Sequence, residues 1–118
     1  MKIGIIGTGA VGTACAFATV MRGFASTVVL IDRDRKRARG VVTDLQYGAT
    51  LSPAVTLIEG DYPDLAGADL VMITAGVNER AGGATDRSYP SGRLRLLDAN
   101  ATVYRDIVPR ILKAVPEA

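Results

Sequence analysis

Histidine and tryptophan are absent from this 118-residue chain, and cysteine occurs once. Without histidine, the chain lacks the side chain most often used as a general acid or base near neutral pH. Aromatic residues make up 5% of the sequence, so no platform for stacking single-stranded nucleic acid is visible. A formal net charge of +2 is too small to point to a nucleic-acid or membrane-surface partner. The lone Cys15 excludes an internal disulfide and fits a reducing, cytoplasmic setting. It falls on an apolar helical stretch and reads as a small core residue. Internal repeats and low-complexity tracts are lacking, and no metal site is expected.

Charge is also missing from residues 3–21. By length this run is a candidate membrane span or signal segment. Gly4, Gly7, Gly9 and Gly12 fall where a membrane helix should be most regular, which argues against a span. The run also passes into a second strand-like stretch ending at Asp32, with no break resembling a cleavage site. Both readings are therefore set aside.

What remains is a globular composition, 48% hydrophobic and 22% charged, long enough for one domain. Residues 2–6 form a short apolar run ending in glycine, as a buried parallel strand does. Residues 10–22 are a helix-length apolar stretch stopped by Gly23. Residues 27–31 are β-branched and apolar, a second strand. A second helix is expected over 33–47, ended by Gly48, with strands over 55–58 and 70–74. Residues 77–92 have no hydrophobic periodicity and carry glycines and Pro90, so they read as a long loop of functional interest. From Arg93, the positions Leu94, Leu97, Ala101, Tyr104, Ile107/Val108, Ile111/Leu112 and Val115 recur at helical spacing. Pro109 is expected to kink or split that helix.

Gly7-Thr8-Gly9-Ala10-Val11-Gly12 matches G-x-G-x-x-G between a strand and a helix. Gly7 permits the tight turn, Gly9 lets the backbone approach a pyrophosphate, and Gly12 allows close packing of helix on strand. The pyrophosphate then sits at the helix N-terminus, on free N–H groups and the positive end of the dipole. Asp32 ends the second strand about 20 residues further on, where a carboxylate accepts bonds from the adenosine ribose hydroxyls. The plainer reading is a glycine-rich turn with a helix-capping Asp. A carboxylate at this point also repels a 2′-phosphate, which favours NAD over NADP. The basic cluster Arg33, Arg35, Lys36, Arg37 and Arg39 stands against that preference, unless it is merely a solvated helix start. The pattern points to an α/β, Rossmann-type doubly wound parallel sheet.

The opening Lys2–Gly12, Asp44-Leu45-Gln46, Asp61-Tyr62 with Asp64-Leu65, Ile73-Thr74-Ala75-Gly76-Val77-Asn78 and the run from Arg93 through Asn100 to Pro109 resemble the lactate/malate dehydrogenase family. The similarity runs along the whole chain. It implies an NAD-dependent oxidoreductase moving a hydride between the cofactor and a small L-2-hydroxy or 2-keto acid, L-lactate/pyruvate first and malate second. It places Gly7, Gly9, Val11 and Gly12 on the cofactor backbone, Asp32 on the adenosine ribose and Arg37 near the adenosine end. Tyr62 would lie near the adenine, with Thr74, Ala75, Gly76 and Val77 toward the nicotinamide. Arg93 matches the arginine that polarises the substrate carbonyl from a lid, a role suited to a permanently charged guanidinium.

Three departures from the family pattern stand out. The stretch from residue 80 to 92 is longer than usual, and an alignment can place Arg87 in the role given to Arg93; the spacing to Asn100 favours Arg93. The substrate-selecting position falls on Glu79, where the family has Gln or Arg. A carboxylate there opposes a carboxylate substrate, so either Arg80 takes over or the substrate is unusual. Tyr47 stands where the family often has His.

The family's acid/base is a His paired with an Asp in a later part of the protein. Residues 1–118 are thus expected to be an incomplete dinucleotide-binding domain, cut after four strands and the following helix and inactive alone. A catalytic domain would follow, and the full-length protein would be a homo-oligomer. A non-catalytic, stand-alone nucleotide-binding module is the alternative. A Rossmann binder of another ligand would leave Asn100 and the Arg93 helix start without purpose.

Overall fold

The computed structural model describes residues 1–78 and 95–118, excepting the Arg95 side chain. The chain divides into two compact units, Met1–Ala75 with Ile111–Ala118, and Gly76–Arg110. The first unit holds strands β1 (Lys2–Ile6), β2 (Thr27–Ile31), β3 (Thr56–Glu59) and β4 (Leu70–Ile73), with helices α1 (Ala10–Arg22) and α2 (Arg35–Ala49). Helix α3 (Arg95–Ala114) begins in the second unit and ends in the first.

The four strands are all parallel and lie in the order β3-β2-β1-β4. Ile5 pairs with Leu30 on one side and Met72 on the other, and Val28 pairs with Leu57. These residues share one face of the sheet, because side chains alternate along a strand. Ile3, Ile5, Val28 and Leu30 form a core there with Ala16 of α1 and Val42 and Leu45 of α2. Cys15 packs at its margin, as a small apolar residue. On the opposite face Gly4 leaves room for Leu65, which is fully buried; a Cβ on Gly4 would strike the Leu65 side chain. The arrangement is the Rossmann-type α/β fold. The uncharged run 3–21 is strand, turn and helix, and no described helix is long and apolar enough to cross a membrane.

The first three elements end where local chemistry dictates. Gly23 closes α1 in the left-handed conformation at φ 66, with its N–H on the Val20 carbonyl. Helix α2 differs from expectation at both ends. It starts after Asp34, whose carboxylate accepts from the N–H groups of Lys36 and Arg37, so Asp34 is the cap and Asp32 is not. It also runs through Gly48 to Ala49, because Gly48 remains helical and Thr50 caps the end. Strand β3 lies one residue later than expected. A 3₁₀ helix, Tyr62–Leu65, is closed by a reciprocal capping box of Asp61 and Asp64.

Helix α3 runs through Pro109 rather than splitting. The carbonyl that loses its helical partner to Pro109 belongs to Arg105, and both residues are exposed to solvent. Ile107 and Ile111 are the helix's buried positions and Val115 is buried just past its end, whereas Leu97, Tyr104, Val108 and Leu112 are exposed.

Two glycines test how the backbone uses the missing side chain. A Cβ on Gly12 would collide with the Gly7 carbonyl oxygen, while one on Gly40, exposed inside α2, meets nothing within 4 Å. Gly12→Ala is expected to destabilise the protein by about 2–3 kcal/mol through overpacking. Gly40→Ala should stabilise it by about 0.5–1 kcal/mol through helix propensity. Urea unfolding of both variants measures the contrast.

Candidate functional site

The carboxyl ends of β1, β2 and β4 converge on the glycine turn. Gly7 leaves β1 at φ 97, a conformation that favours glycine, and its N–H donates to the Ile31 carbonyl at 2.8 Å. A Cβ on Gly7 would lie 2.6 Å from the Ala75 nitrogen, so the turn rests against the end of β4. Thr74 braces it there: its hydroxyl donates to the Gly7 carbonyl at 2.7 Å, and its N–H donates to the Ile6 carbonyl at 2.8 Å.

Gly9 behaves differently. Its φ of −71 suits any residue, and a Cβ there meets no atom within 4 Å. Packing against the rest of the protein therefore gives no reason for glycine at this position. Gly9 is also the N-cap of α1, and no side chain caps that helix. No acidic residue stands in its first turn. Uncapped N–H groups and the positive dipole end thus face an open surface, ready for an anion. Val11 stands in the same turn, 65% exposed, an apolar contact beside those donors.

Asp32 adjoins this turn. Its Oδ2 accepts from the Thr8 N–H at 2.7 Å and the Thr8 hydroxyl at 2.9 Å, and its Oδ1 accepts from the Asp34 N–H at 2.9 Å. Partial burial pushes this carboxyl up, but those hydrogen bonds and the charge of Arg37 outweigh it and hold the group below the ordinary carboxylate value. A carboxylate offers about four acceptor positions, so capacity remains for a ligand hydroxyl.

The basic cluster is partly committed elsewhere. Glu59, at the end of β3, receives Arg35 Nε at 2.7 Å and Arg39 Nη2 at 3.4 Å. The Arg35 hydrogen bond is the main cause holding the Glu59 carboxyl below its ordinary value. Arg37 remains on the Asp32 side, and Tyr62 is half-buried at the start of the 3₁₀ helix. An apolar groove of about 490 Å³ between α1 and α2 is lined by Phe17, Met21, Val41 and Leu45 with Asp44. It presents no cation and does not suit a phosphate.

In the second unit, Asn100 grips the segment that follows β4. Its Oδ1 accepts from the Val77 N–H at 2.6 Å, and its Nδ2 donates to the Val77 carbonyl at 3.4 Å. Gly76 lies so close that a Cβ would come within 3.0 Å of Asn100 Oδ1. Glu79, Arg80, Arg87 and Arg93, expected at the substrate, lie outside the described residues. Thr8, Thr74 as a brace, and Glu59 are roles that spacing along the sequence did not reveal. The signal available for Thr8 was a β-branched polar residue lodged between two glycines.

Because Asp32 sits below its ordinary value of 3.8, the stability it contributes is complete above that value and lost as pH falls through the folded one. Unfolding measured from pH 7 downward should show the parent losing stability more steeply below about pH 5 than Asp32→Asn, which has no such proton to bind. Parallel curves would contradict the assignment.

The whole chain, residues 1–118, matches the family described as lactate/malate dehydrogenase, NAD binding domain. It is 46% identical over 118 residues to an L-lactate dehydrogenase of Thermus aquaticus, covering all of this chain and 36% of the relative. An L-lactate dehydrogenase of Chloroherpeton thalassium is 42% identical over 112 residues, covering 95% of this chain and 34% of the relative. Among solved structures, a ligand-bound minor L-lactate dehydrogenase of Enterococcus mundtii superposes with a TM-score of 0.82 at 36% identity, over 96% of this chain and 34% of that one. The chain therefore spans about a third of the length of the relatives it matches.

Proposed function

The chain belongs to the lactate/malate dehydrogenase family as its NAD-binding domain, and from that premise we propose that it holds NAD across the glycine turn for hydride transfer with a small L-2-hydroxy acid. L-lactate/pyruvate is the favoured pair, because the relatives described above are L-lactate dehydrogenases. The observation that carries the reading is Gly9: a glycine its own packing does not require, at the uncapped start of α1, beside an ionised Asp32.

Bound NAD supplies the hydride acceptor and donor; the residues of this chain bind and orient it. The N–H groups of the α1 first turn receive the pyrophosphate, Val11 lies along it, and Asp32 accepts from the adenosine ribose. Arg37 and Tyr62 serve the adenosine end, and Thr74, Ala75, Gly76 and Val77 the nicotinamide end. Asn100 keeps Val77 in place. Arg93 is assigned to the substrate carbonyl, with Glu79 and Arg80 beside the substrate carboxylate; these three assignments rest on resemblance. The sequence contains no histidine, so the acid/base is assigned to a part of the protein outside these 118 residues, together with the substrate domain.

Nucleotide fluorescence tests the reading. The protein should bind NADH more tightly than NADPH. Gly9→Ala should stay folded, losing only the small preference for glycine over alanine at an N-cap, yet bind NADH at least about tenfold more weakly, since its Cβ meets no protein atom and occupies the ligand's space. Equal affinity for both cofactors, or full NADH binding by Gly9→Ala, would overturn it.

A further inference from the structure

Thr8 is 3% exposed, a buried polar side chain in a turn otherwise built from glycine and small apolar residues. Its N–H and its hydroxyl both donate to Asp32 Oδ2, at 2.7 and 2.9 Å. Its carbonyl in turn accepts from the Thr13 hydroxyl at 3.2 Å, one turn into α1. Any residue at this position can offer the N–H. The hydroxyl is what threonine adds.

That addition bears on how Asp32 meets a nucleotide. A carboxylate oxygen has two lone-pair positions. Oδ2 has both taken by Thr8, and Oδ1 has one taken by the Asp34 N–H. Three fixed donors define the plane of the carboxylate and leave its one remaining acceptor position on Oδ1. A ribose hydroxyl can donate there. A 2′-phosphate, with a charge of about −1.5 to −2 at neutral pH, cannot, and meets a negative group that is unable to turn away. Without the Thr8 hydroxyl, Oδ2 keeps one donor and the carboxylate gains freedom to rotate, so a phosphate can be accommodated beside Arg37.

We propose that Thr8 is a positioning residue for cofactor choice: its buried hydroxyl locks the Asp32 carboxylate so that a single oxygen faces the adenosine ribose, which selects a 2′-hydroxyl over a 2′-phosphate. The inference rests on the reading of the turn as the NAD site and adds a residue to it. Thr8 acts through Asp32 and touches no reacting atom.

A double-mutant cycle decides between this and a merely structural threonine. Affinities for NADH and NADPH are measured by fluorescence in the parent, Thr8→Val, Thr8→Ser, Asp32→Ala and the Thr8→Val/Asp32→Ala pair. Thr8→Val should lower NADH affinity about five- to tenfold, the scale of one ordinary net hydrogen bond, because the group acts through Asp32 and not on the ligand. The NADH preference over NADPH should narrow by a similar factor. Thr8→Ser keeps the hydroxyl and should restore both within about twofold. In the Asp32→Ala background, Thr8→Val should change neither affinity, since the group it acts through is gone. Thr8→Ala, smaller and unable to overpack the turn, carries the same expectations if Thr8→Val fails to fold. An unchanged cofactor ratio in the folded Thr8 variant overturns the proposal, as does an equal loss in the Asp32→Ala background. A parent that binds neither nucleotide overturns the NAD reading itself and this inference with it. A parent that prefers NADH and is indifferent to Thr8→Val defeats this inference alone.

Discussion

The close approach of helix α1 to the end of strand β1 is the constraint on which the rest of the site depends. Gly12 lies against the Gly7 carbonyl with no room for a Cβ, and Gly7 itself lies against Ala75 at the end of β4. The Thr74 hydroxyl donates to that same Gly7 carbonyl. Strand, turn, helix and neighbouring strand are therefore tied around one backbone oxygen. The consequence is directional: with its inner side packed, the turn can present its unpaired N–H groups only outward, at the carboxyl edge of the sheet.

The electrostatics follow from how the two helix starts are treated. Helix α2 spends its terminal donors on its own cap, Asp34, whereas α1 has no capping side chain and no acid in its first turn. An anion site is thus available at one helix and closed at the other. Asp32 stands between them and stays ionised because donors from Thr8 and Asp34 surround it. Glu59 draws Arg35 and Arg39 into ion pairs at the end of β3. With both guanidinium groups exposed, these pairs add little stability, but they direct those groups toward a carboxylate and leave the cationic cluster less suited to a phosphate.

Much of this was legible in the sequence because it is local. Strand β1, helix α1 and strand β2 begin and end at glycines and β-branched runs whose preferences are set within a few residues. Helix α2 was less so: Gly48 looks like a stop, but a glycine ends a helix only where the chain turns left-handed, and here it does not. The 3₁₀ helix has its sequence signal in Asp61-Tyr62-Pro63-Asp64, an acid pair bracketing a proline, which carries no hydrophobic period. On α3 the heptad-like spacing identified a helix but not which stripe is buried; Leu97 and Tyr104 fit the period and are exposed all the same. In the site, the roles of Gly7, Gly12 and Asp32 follow from motif spacing. The bonds from Thr8 to Asp32 and from Thr74 to Gly7 join residues far apart in sequence that only the folded sheet brings together, and the bond from Val77 to Asn100 spans 23 residues within the second unit.

The central claim is that the ligand is held by the backbone at the start of α1. Titrating NAD⁺ into the ¹⁵N-labelled protein while following its amide resonances tests that claim at the atoms concerned. The account predicts that the largest shifts fall on Gly9, Ala10, Val11 and Gly12, with Thr8 next. Shifts centred instead on Phe17, Met21, Val41 and Leu45, along the apolar groove between α1 and α2, would contradict it.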